Sequence, residues 1–267
     1  MKLSRRGKIS YLEPSWTRQA GVEAGFTTRN GGVSRPPYNS LNLGFNTEDP
    51  RHNVEGNRST LTRAFGVQPH LLLTVRQVHG TDLLIIDEPN PDLSHFLSIE
   101  CDGVVTNQPG ILIGILVADC YPVLLFDPRQ RVAAAVHVGW RGAAAGILGK
   151  TLRALQETFD SRPEHIRAAV GPGIGAHHYE VDRPVRDAFR QGSGHWDQIA
   201  KEVALGKWHL DLQKSCLLQL EAAGLEPAHL EATEEDTCCH RELFFSHRRD
   251  KGQTGRQMGF LMISADS

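Results

Sequence analysis

A chain of 267 residues that is 40% apolar and 22% charged can bury a substantial core, which argues against intrinsic disorder and against a small disulfide-stapled scaffold. Its net charge of −2, with lysine and arginine dispersed, offers no basic field for nucleic acid or an anionic membrane surface. Five cysteines, an odd number with no Cys-x-x-Cys pair, argue against a disulfide framework or zinc ribbon and fit a reducing, cytoplasmic setting.

The first residues, Met1 to Lys8, are basic but no apolar stretch follows, so no signal peptide is expected. Residues 25–45 are dense in Gly, Asn, Ser and Pro and read as a long functional loop, with Asn30-Gly31 a tight turn. A helix is expected over 52–65, where Val54, Leu61 and Phe65 share a face. Strands follow at 71–78, 82–87, 103–106, 111–117, 123–126 and 132–138. The longest apolar run, Ile111 to Phe126, is broken by Asp119 and is shorter than the roughly 20 residues of a membrane span. From Gly142 the period changes. Ile147, Leu148, Thr151, Leu152, Leu155 and Phe159 recur at helical steps and predict an amphipathic helix. A strand at 166–170 runs into Gly171-Pro172-Gly173-Ile174-Gly175, helices are expected at 182–191 and 211–223, and a last strand pair at 243–246 and 258–263. Several strand-to-strand links are too short for parallel crossovers, so the fold class is α+β with mixed β-sheets. No linker or repeat divides the chain, which is expected to form one domain over 1–267, as a single unit or two intimately packed lobes.

Three of the apolar runs stop at side chains that ligate metals: His79 in Arg76-Gln77-Val78-His79-Gly80, Cys120 in Ala118-Asp119-Cys120-Tyr121-Pro122, and His137 before Val138-Gly139-Trp140-Arg141-Gly142. Two imidazoles and a thiolate suit zinc, and three protein ligands leave the open fourth position of a catalytic site. Taken one at a time, Cys120 also reads as a small buried apolar residue and the histidines as satisfied core groups. Arg141 sits beside an expected helix N-terminus, a place for an anion such as phosphate. The Gly171–Gly175 segment reads as a backbone cradle or as a tight turn, and Asp102 as a general base or a strand-initiating aspartate. His177-His178 and Cys238-Cys239 resemble metal ligands, but adjacent side chains usually point apart and both pairs are read as incidental. A multicopper oxidase is disfavoured, because no His-x-His occurs and only three methionines are present, which leaves weak copper-dependent polyphenol oxidation at the His₂Cys site as an alternative side reaction.

The ordered motifs of nearly the whole chain resemble the YfiH, or laccase-domain, family. They comprise Thr27-Thr28-Arg29 with Gly31 to Ser34, Tyr38 to Gly44, Asn57-Arg58, Gln77 to Gly80, Ala118 to Cys120, His137 to Gly142 and Gly171 to Gly175. Phe244 to Ser246 with Arg248 to Asp250, and Thr254-Gly255-Arg256, complete the set. The resemblance implies a four-layer α/β/β/α arrangement and zinc at His79, Cys120 and His137, with copper as a second candidate. It implies phosphorolysis of adenosine, inosine, guanosine and methylthioadenosine, deamination of adenosine, or, in some members, hydrolysis of an amide where L-serine was wrongly attached to a cell-wall precursor. The expected partners are therefore purine nucleosides and phosphate, with no nucleic acid or membrane, and the expected assembly is a monomer or small homo-oligomer. Cys120, His137 and Asp102 are the catalytic candidates, and Asn42, Arg58, Gln77, Arg141 and Arg249 the candidates for binding substrate or phosphate. His177, His178, Asp236 and His247 depart from the residues usual at those positions and bear on the pocket rim.

Overall fold

The computed structural model describes residues 1–19, 21–96, 98–192 and 195–265. In chain order the elements are β1 (Lys2–Arg6), β2 (Ile9–Glu13), β3 (Val22–Thr27), α1 (Arg51–Ala64), β4 (Leu72–Thr74), β5 (Leu83–Ile86), β6 (Gly103–Thr106), β7 (Leu112–Val117), β8 (Tyr121–Asp127) and β9 (Val132–Val138). There follow α2 (Trp140–Ala144), α3 (Ile147–Phe159), β10 (Arg167–Val170), β11 (Glu180–Asp182), α4 (Arg183–Gln191), α5 (Trp196–Ile199), β12 (Ala200–Ala204), β13 (Lys207–Leu210), α6 (Leu212–Ala222), β14 (Leu230–Ala232) and β15 (Gln257–Ile263). Two six-stranded sheets run β1-β2-β3-β15-β7-β4 and β14-β10-β8-β9-β6-β5, and β11-β13-β12 form a small third sheet. The pairs β4–β7, β5–β6 and β10–β14 are parallel and the other pairings antiparallel, so the fold is α+β with mixed sheets.

The alternation of side chains along each strand builds the layers. On β8 and β9, Val123, Leu125, Val132, Ala134 and Val136 face a core shared with α3 and α6, while Leu124, Phe126, Ala133 and Ala135 face the other large sheet. Both faces are buried, which is why these strands read as unbroken apolar runs rather than alternating ones. On the other sheet Ile113, Ile115 and Leu261 point inward, whereas Leu112, Met258 and Phe260 meet Leu61 of α1 on the outside. Helix, sheet, sheet, helix is the resulting order.

Three expectations need correction. The run at 243–246 is not a strand: Phe244 and Phe245 are fully buried, but the Gln257 side-chain amide takes the place of a partner strand, bonding the N–H and the carbonyl of Phe245 at 2.9 and 3.1 Å. The single helix expected from Gly142 is divided into α2 and α3 by Gly146, whose φ of +76° a left-handed position requires. The Gly171–Gly175 segment is a packing device rather than a cradle: a Cβ at Gly171 would strike the Phe26 ring at 2.3 Å, and one at Gly173 the Tyr121 ring at 2.6 Å. Strands β1 to β3 and the small third sheet had no clear apolar period and were not expected.

Candidate metal centre and anion pocket

His79, Cys120 and His137 come from three elements that end at one place. His79 lies beyond β4 with φ of +60°, Cys120 follows Asp119 (φ +92°) in the β7–β8 turn, and His137 is the penultimate residue of β9. Positive φ at two residues without the freedom of glycine is local strain held in place at this site. Their ligand atoms all lie within 4.8 Å of one another. The two imidazole rings stand edge to face at 82°, and His79 Nε2 is 3.9 Å from Cys120 Sγ. Gly139 packs its backbone against the triad: a Cβ there would come within 2.9 Å of His79 Cδ2 and 3.3 Å of Cys120 Sγ.

Asp102 organises this group from behind. It is fully buried, its Oδ1 accepts the His79 N–H at 2.9 Å, and its Oδ2 accepts the Gly80 and Val78 N–H groups at 2.6 and 3.2 Å. His137 Nδ1 lies 2.7 Å from Oδ1. Burial opposes ionisation of Asp102, but the bonds from His137 and from these backbone N–H groups outweigh it and hold the carboxyl below its usual range. An ionised carboxylate only accepts, so Nδ1 of His137 carries the proton and Nε2 is left for the cleft. The expectation of a base facing substrate is thereby corrected, since Asp102 positions His137 and does not line the cleft. Burial also opposes a Cys120 thiolate, but the charge of His137 and hydrogen bonds from both histidines prevail and draw the thiol down to about 6. His137 responds in kind: burial lowers it, while the Cys120 charge and the Asp102 bond raise it to about 9. A thiolate–imidazolium pair in the metal-free chain is the result. As a metal set the donors fit zinc: two imidazole nitrogens and a low-lying thiolate converge, and a carboxylate fixes one imidazole from the far side.

The triad forms the floor of a cleft of about 750 Å³ whose wall contains six arginines, Arg51, Arg58, Arg76, Arg141, Arg248 and Arg256. Arg51 and Arg76 are paired with Glu55 and Glu100 at the rim. The other four have no ion-pair partner among the described residues. Arg58 donates to the Leu43 carbonyl and Thr74 Oγ1 and stacks over Phe45, and burial followed by the Arg51 charge lowers it to about 10. Arg256 is bonded to the Thr254 and Gly255 carbonyls and is lowered by burial. Desolvated guanidinium groups without a carboxylate favour a bound anion, because that anion would recover the lost electrostatic stabilisation.

Of the expected binding residues, Arg58, Gln77 and Arg141 line this cleft and Asn42 and Arg249 do not. Arg141 is exposed and stacked on Trp140 with 4.2 Å between its guanidinium and the ring, and α2 is too short for its dipole to matter much. Gln77 spends both ends of its amide on the N–H and carbonyl of Leu116, so it secures the edge of β7. Asn42 is buried, bonded to Thr47, Asp49 and the backbone of Gly44 and Arg256. Arg249 is turned inward onto Asp250 and the carbonyls of Thr237 and Phe244. Its neighbour Arg248 faces the cleft instead, together with Arg256, Trp140 and Tyr179, none of which sequence reasoning had assigned a role. The Thr254-Gly255-Arg256 motif was the signal for one of them. His247 lines the cleft, as expected of a rim residue.

The adjacent histidines are also corrected. His177 and His178 do not point apart: their rings are 4.2 Å apart, and they meet Asp236 and Cys239 in a second group of ligand atoms within 4.8 Å of one another. Cys238 stays outside this group.

The family described as multi-copper polyphenol oxidoreductase laccase matches residues 23–264. Purine nucleoside phosphorylase YlmD of Geobacillus stearothermophilus is 36% identical over 247 residues, covering 91% of this chain and 90% of that protein. A purine nucleoside phosphorylase of Deinococcus radiodurans is 40% identical over 241 residues, covering 90% and 88%. The crystal structure of a Bacillus licheniformis hypothetical protein, YfiH, superposes with a TM-score of 0.90 at 32% identity and 98% coverage of both chains.

Proposed function

Because the chain belongs to the multicopper polyphenol oxidoreductase laccase family, the laccase-domain family its motifs resemble, and has relatives named purine nucleoside phosphorylase, we propose that it is a zinc-dependent purine nucleoside phosphorylase with adenosine deaminase capacity. The observation that carries this reading is the juxtaposition of a His₂Cys donor set with four arginines that, among the described residues, have no carboxylate partner, in one cleft. His79, Cys120 and His137 would hold the metal, zinc in preference to copper, with His137 offering Nε2 because Asp102 occupies Nδ1. When bound, zinc supplies Lewis acidity, the chemistry that replacement of the adenine C6 amine by oxygen requires. Arg58, Arg141, Arg248 and Arg256 bind and orient phosphate. In phosphorolysis a phosphate oxygen bonds to ribose C1′ as the bond from C1′ to the purine breaks, and the purine departs protonated. Burial raises the Tyr179 phenol, which stays neutral and able to donate a hydrogen bond toward the purine, while Trp140 offers a ring face.

The test is a panel of adenosine, inosine, guanosine and methylthioadenosine, incubated with and without phosphate and resolved by chromatography. Free base and ribose 1-phosphate are expected only with phosphate, and deamination of adenosine with or without it. Absence of phosphate-dependent base release would reject the phosphorylase.

A second reading has a specific observation in its favour. Cys120, His137 and Asp102 are also ordered as thiolate, imidazole and carboxylate, the arrangement of a cysteine amide hydrolase acting on a wrongly formed L-seryl amide of a cell-wall precursor. One thiolate cannot serve as metal ligand and nucleophile in the same turnover. Zinc-loaded protein that resists iodoacetamide at Cys120 supports the phosphorylase, and rapid labelling with matching loss of activity supports the hydrolase.

A further inference from the structure

We propose that His177, His178, Asp236 and Cys239 form a second, closed zinc site that clamps the glycine-rich turn after β10 to the segment carrying Arg248. This site is separate from the reaction centre, and the proposal does not rest on which reaction the cleft performs. Four donors of types that zinc accepts stand at the corners of a small tetrahedron. Cys239 Sγ lies 3.1 Å from His178 Nε2 and 3.5 Å from His177 Nε2, and Asp236 Oδ2 lies 3.5 and 3.9 Å from the same two nitrogens. With zinc–ligand bonds of roughly 2.0–2.3 Å, the edges of a tetrahedral site are about 3.3–3.8 Å, so the donors need little movement.

Hydrogen bonding within the cluster does not account for it. Cys239 has one S–H proton for several neighbouring acceptors. Asp236 Oδ1 accepts the Cys238 N–H at 2.7 Å, while Oδ2 is buried, has no hydrogen bond of good geometry, and faces the two imidazoles at 3.5 and 3.9 Å. Asp236 is only 8% exposed, and an unsatisfied carboxylate oxygen at that depth is costly unless a cation meets it. Gly175 lies over the same oxygen, where a Cβ would approach Oδ2 to 2.5 Å. The exposed edges of His177 and Cys239 provide an entry path.

Four protein ligands leave no open position, so the role is structural. The clamp reinforces contacts already present. The Thr237 N–H bonds to the Gly173 carbonyl at 2.9 Å, and the Thr237 hydroxyl donates to Asp119 beside Cys120. The Arg248 side chain reaches the His178 carbonyl, and its backbone N–H reaches Asp119 Oδ2. Zinc here would therefore stiffen one wall of the cleft.

The experiment is zinc stoichiometry on the full chain without a polyhistidine tag, zinc-loaded and then dialysed against metal-free buffer. About two zinc ions per chain are expected for the wild type. His79→Ala, His178→Ala and Cys239→Ala should each hold about one, and the His79→Ala/Cys239→Ala double variant none. Zinc should raise the melting temperature of His79→Ala by several degrees and leave the double variant unchanged. Cobalt(II) gives a readout independent of variant stability. In a Cys120→Ser background the thiolate-to-cobalt absorption of a tetrahedral site should appear, and it should vanish when Cys239→Ser is added. A His79→Ala variant holding no zinc, a Cys239→Ala variant with undiminished zinc, or a Cys120→Ser chain lacking the cobalt absorption would each overturn the proposal.

Discussion

The two donor clusters are built from the same side chains and are supported in opposite ways. His79, Cys120 and His137 stand at the ends of strands or in turns next to them, braced from behind by a carboxylate that is fully buried and receives three backbone N–H groups. His177, His178, Asp236 and Cys239 stand on loops near the surface, and their carboxylate belongs to the donor set rather than to its support. One arrangement spends its carboxylate on aiming an imidazole at a cleft and would leave a coordination position open on a bound metal. The other would fill every position. A rigid scaffold with a vacant ligand position suits reaction, and a closed set on loops suits fastening.

The largest effect expected from breaking this comparison falls on the triad. His79→Ala and His137→Ala should lower kcat/KM by roughly 10²–10⁴-fold, the loss of several kcal/mol of charge stabilisation in the transition state. Asp102→Asn should cost about 10–100-fold through metal affinity and imidazole orientation. Cys239→Ala should leave kcat/KM within about twofold, because its donors do not line the cleft. Steady-state kinetics together with zinc analysis of each variant would check the series. A Cys239→Ala loss as large as that of His79→Ala would erase the distinction between the clusters.

How much of each cluster was legible in the sequence follows from its support. The strand-end donors were readable because the apolar runs containing or preceding them stop where a turn begins, and a polar side chain at that point stands out. The loop-borne donors were not. Consecutive residues in a 3₁₀ turn diverge by about 120°, so His177-His178 read as a splayed pair, yet the two rings come within 4.2 Å of each other. Arg249 was misjudged for a related reason. Arg248 and Arg249 are the same residue type side by side, and the position of Asp250, one residue from the second and two from the first, does not by itself say which guanidinium it captures. The layers were readable from apolar runs such as Val132–Val138, whereas β11 and β12 bury almost none of their side chains and owe their pairing to β13, with Trp208 buried behind them.

Two arginines, Arg141 facing the cleft and Arg249 turned inward, give the next effect in size. Arg141→Ala should raise the KM for phosphate about tenfold, the loss of a charge-assisted bond of about 1.4 kcal/mol, and change the nucleoside KM less. Arg249→Ala should do the reverse, leaving the KM for phosphate unchanged in the folded enzyme while removing about 2–4 kcal/mol of stability, since Asp250 and two carbonyls lose a partly buried cation. Initial-rate kinetics at varied phosphate and urea titrations of both variants decide between these roles. Equal effects of Arg141→Ala on both substrates would remove that residue from the phosphate site.

The smallest effect distinguishes the two cysteines themselves, in protein stripped of metal. Cys120 is drawn down to about 6, so its thiolate is present above that pH and is lost as pH falls through it. Cys239 moves the other way: slight burial and then the Asp236 charge raise it above the ordinary value, so its thiolate forms only in more alkaline solution. At pH 7 a thiol at about 6 is about 90% ionised and an ordinary one only a few per cent, a ratio of roughly 30. The lower basicity of the Cys120 sulfur makes it about tenfold less nucleophilic, with a Brønsted slope near 0.4–0.5. The net preference of iodoacetamide for Cys120 at pH 7 is thus only about two- to threefold. Unequal exposure can obscure a rate ratio of that size, but it does not move the pH at which each labelling rate reaches half its maximum. Mass-spectrometric labelling profiles should place that midpoint near pH 6 for Cys120 and on the alkaline side of an ordinary thiol for Cys239. Coincident midpoints would mean that the pairing of Cys120 with His137 and Asp102 gives its sulfur no electrostatic advantage over a thiol on a surface loop.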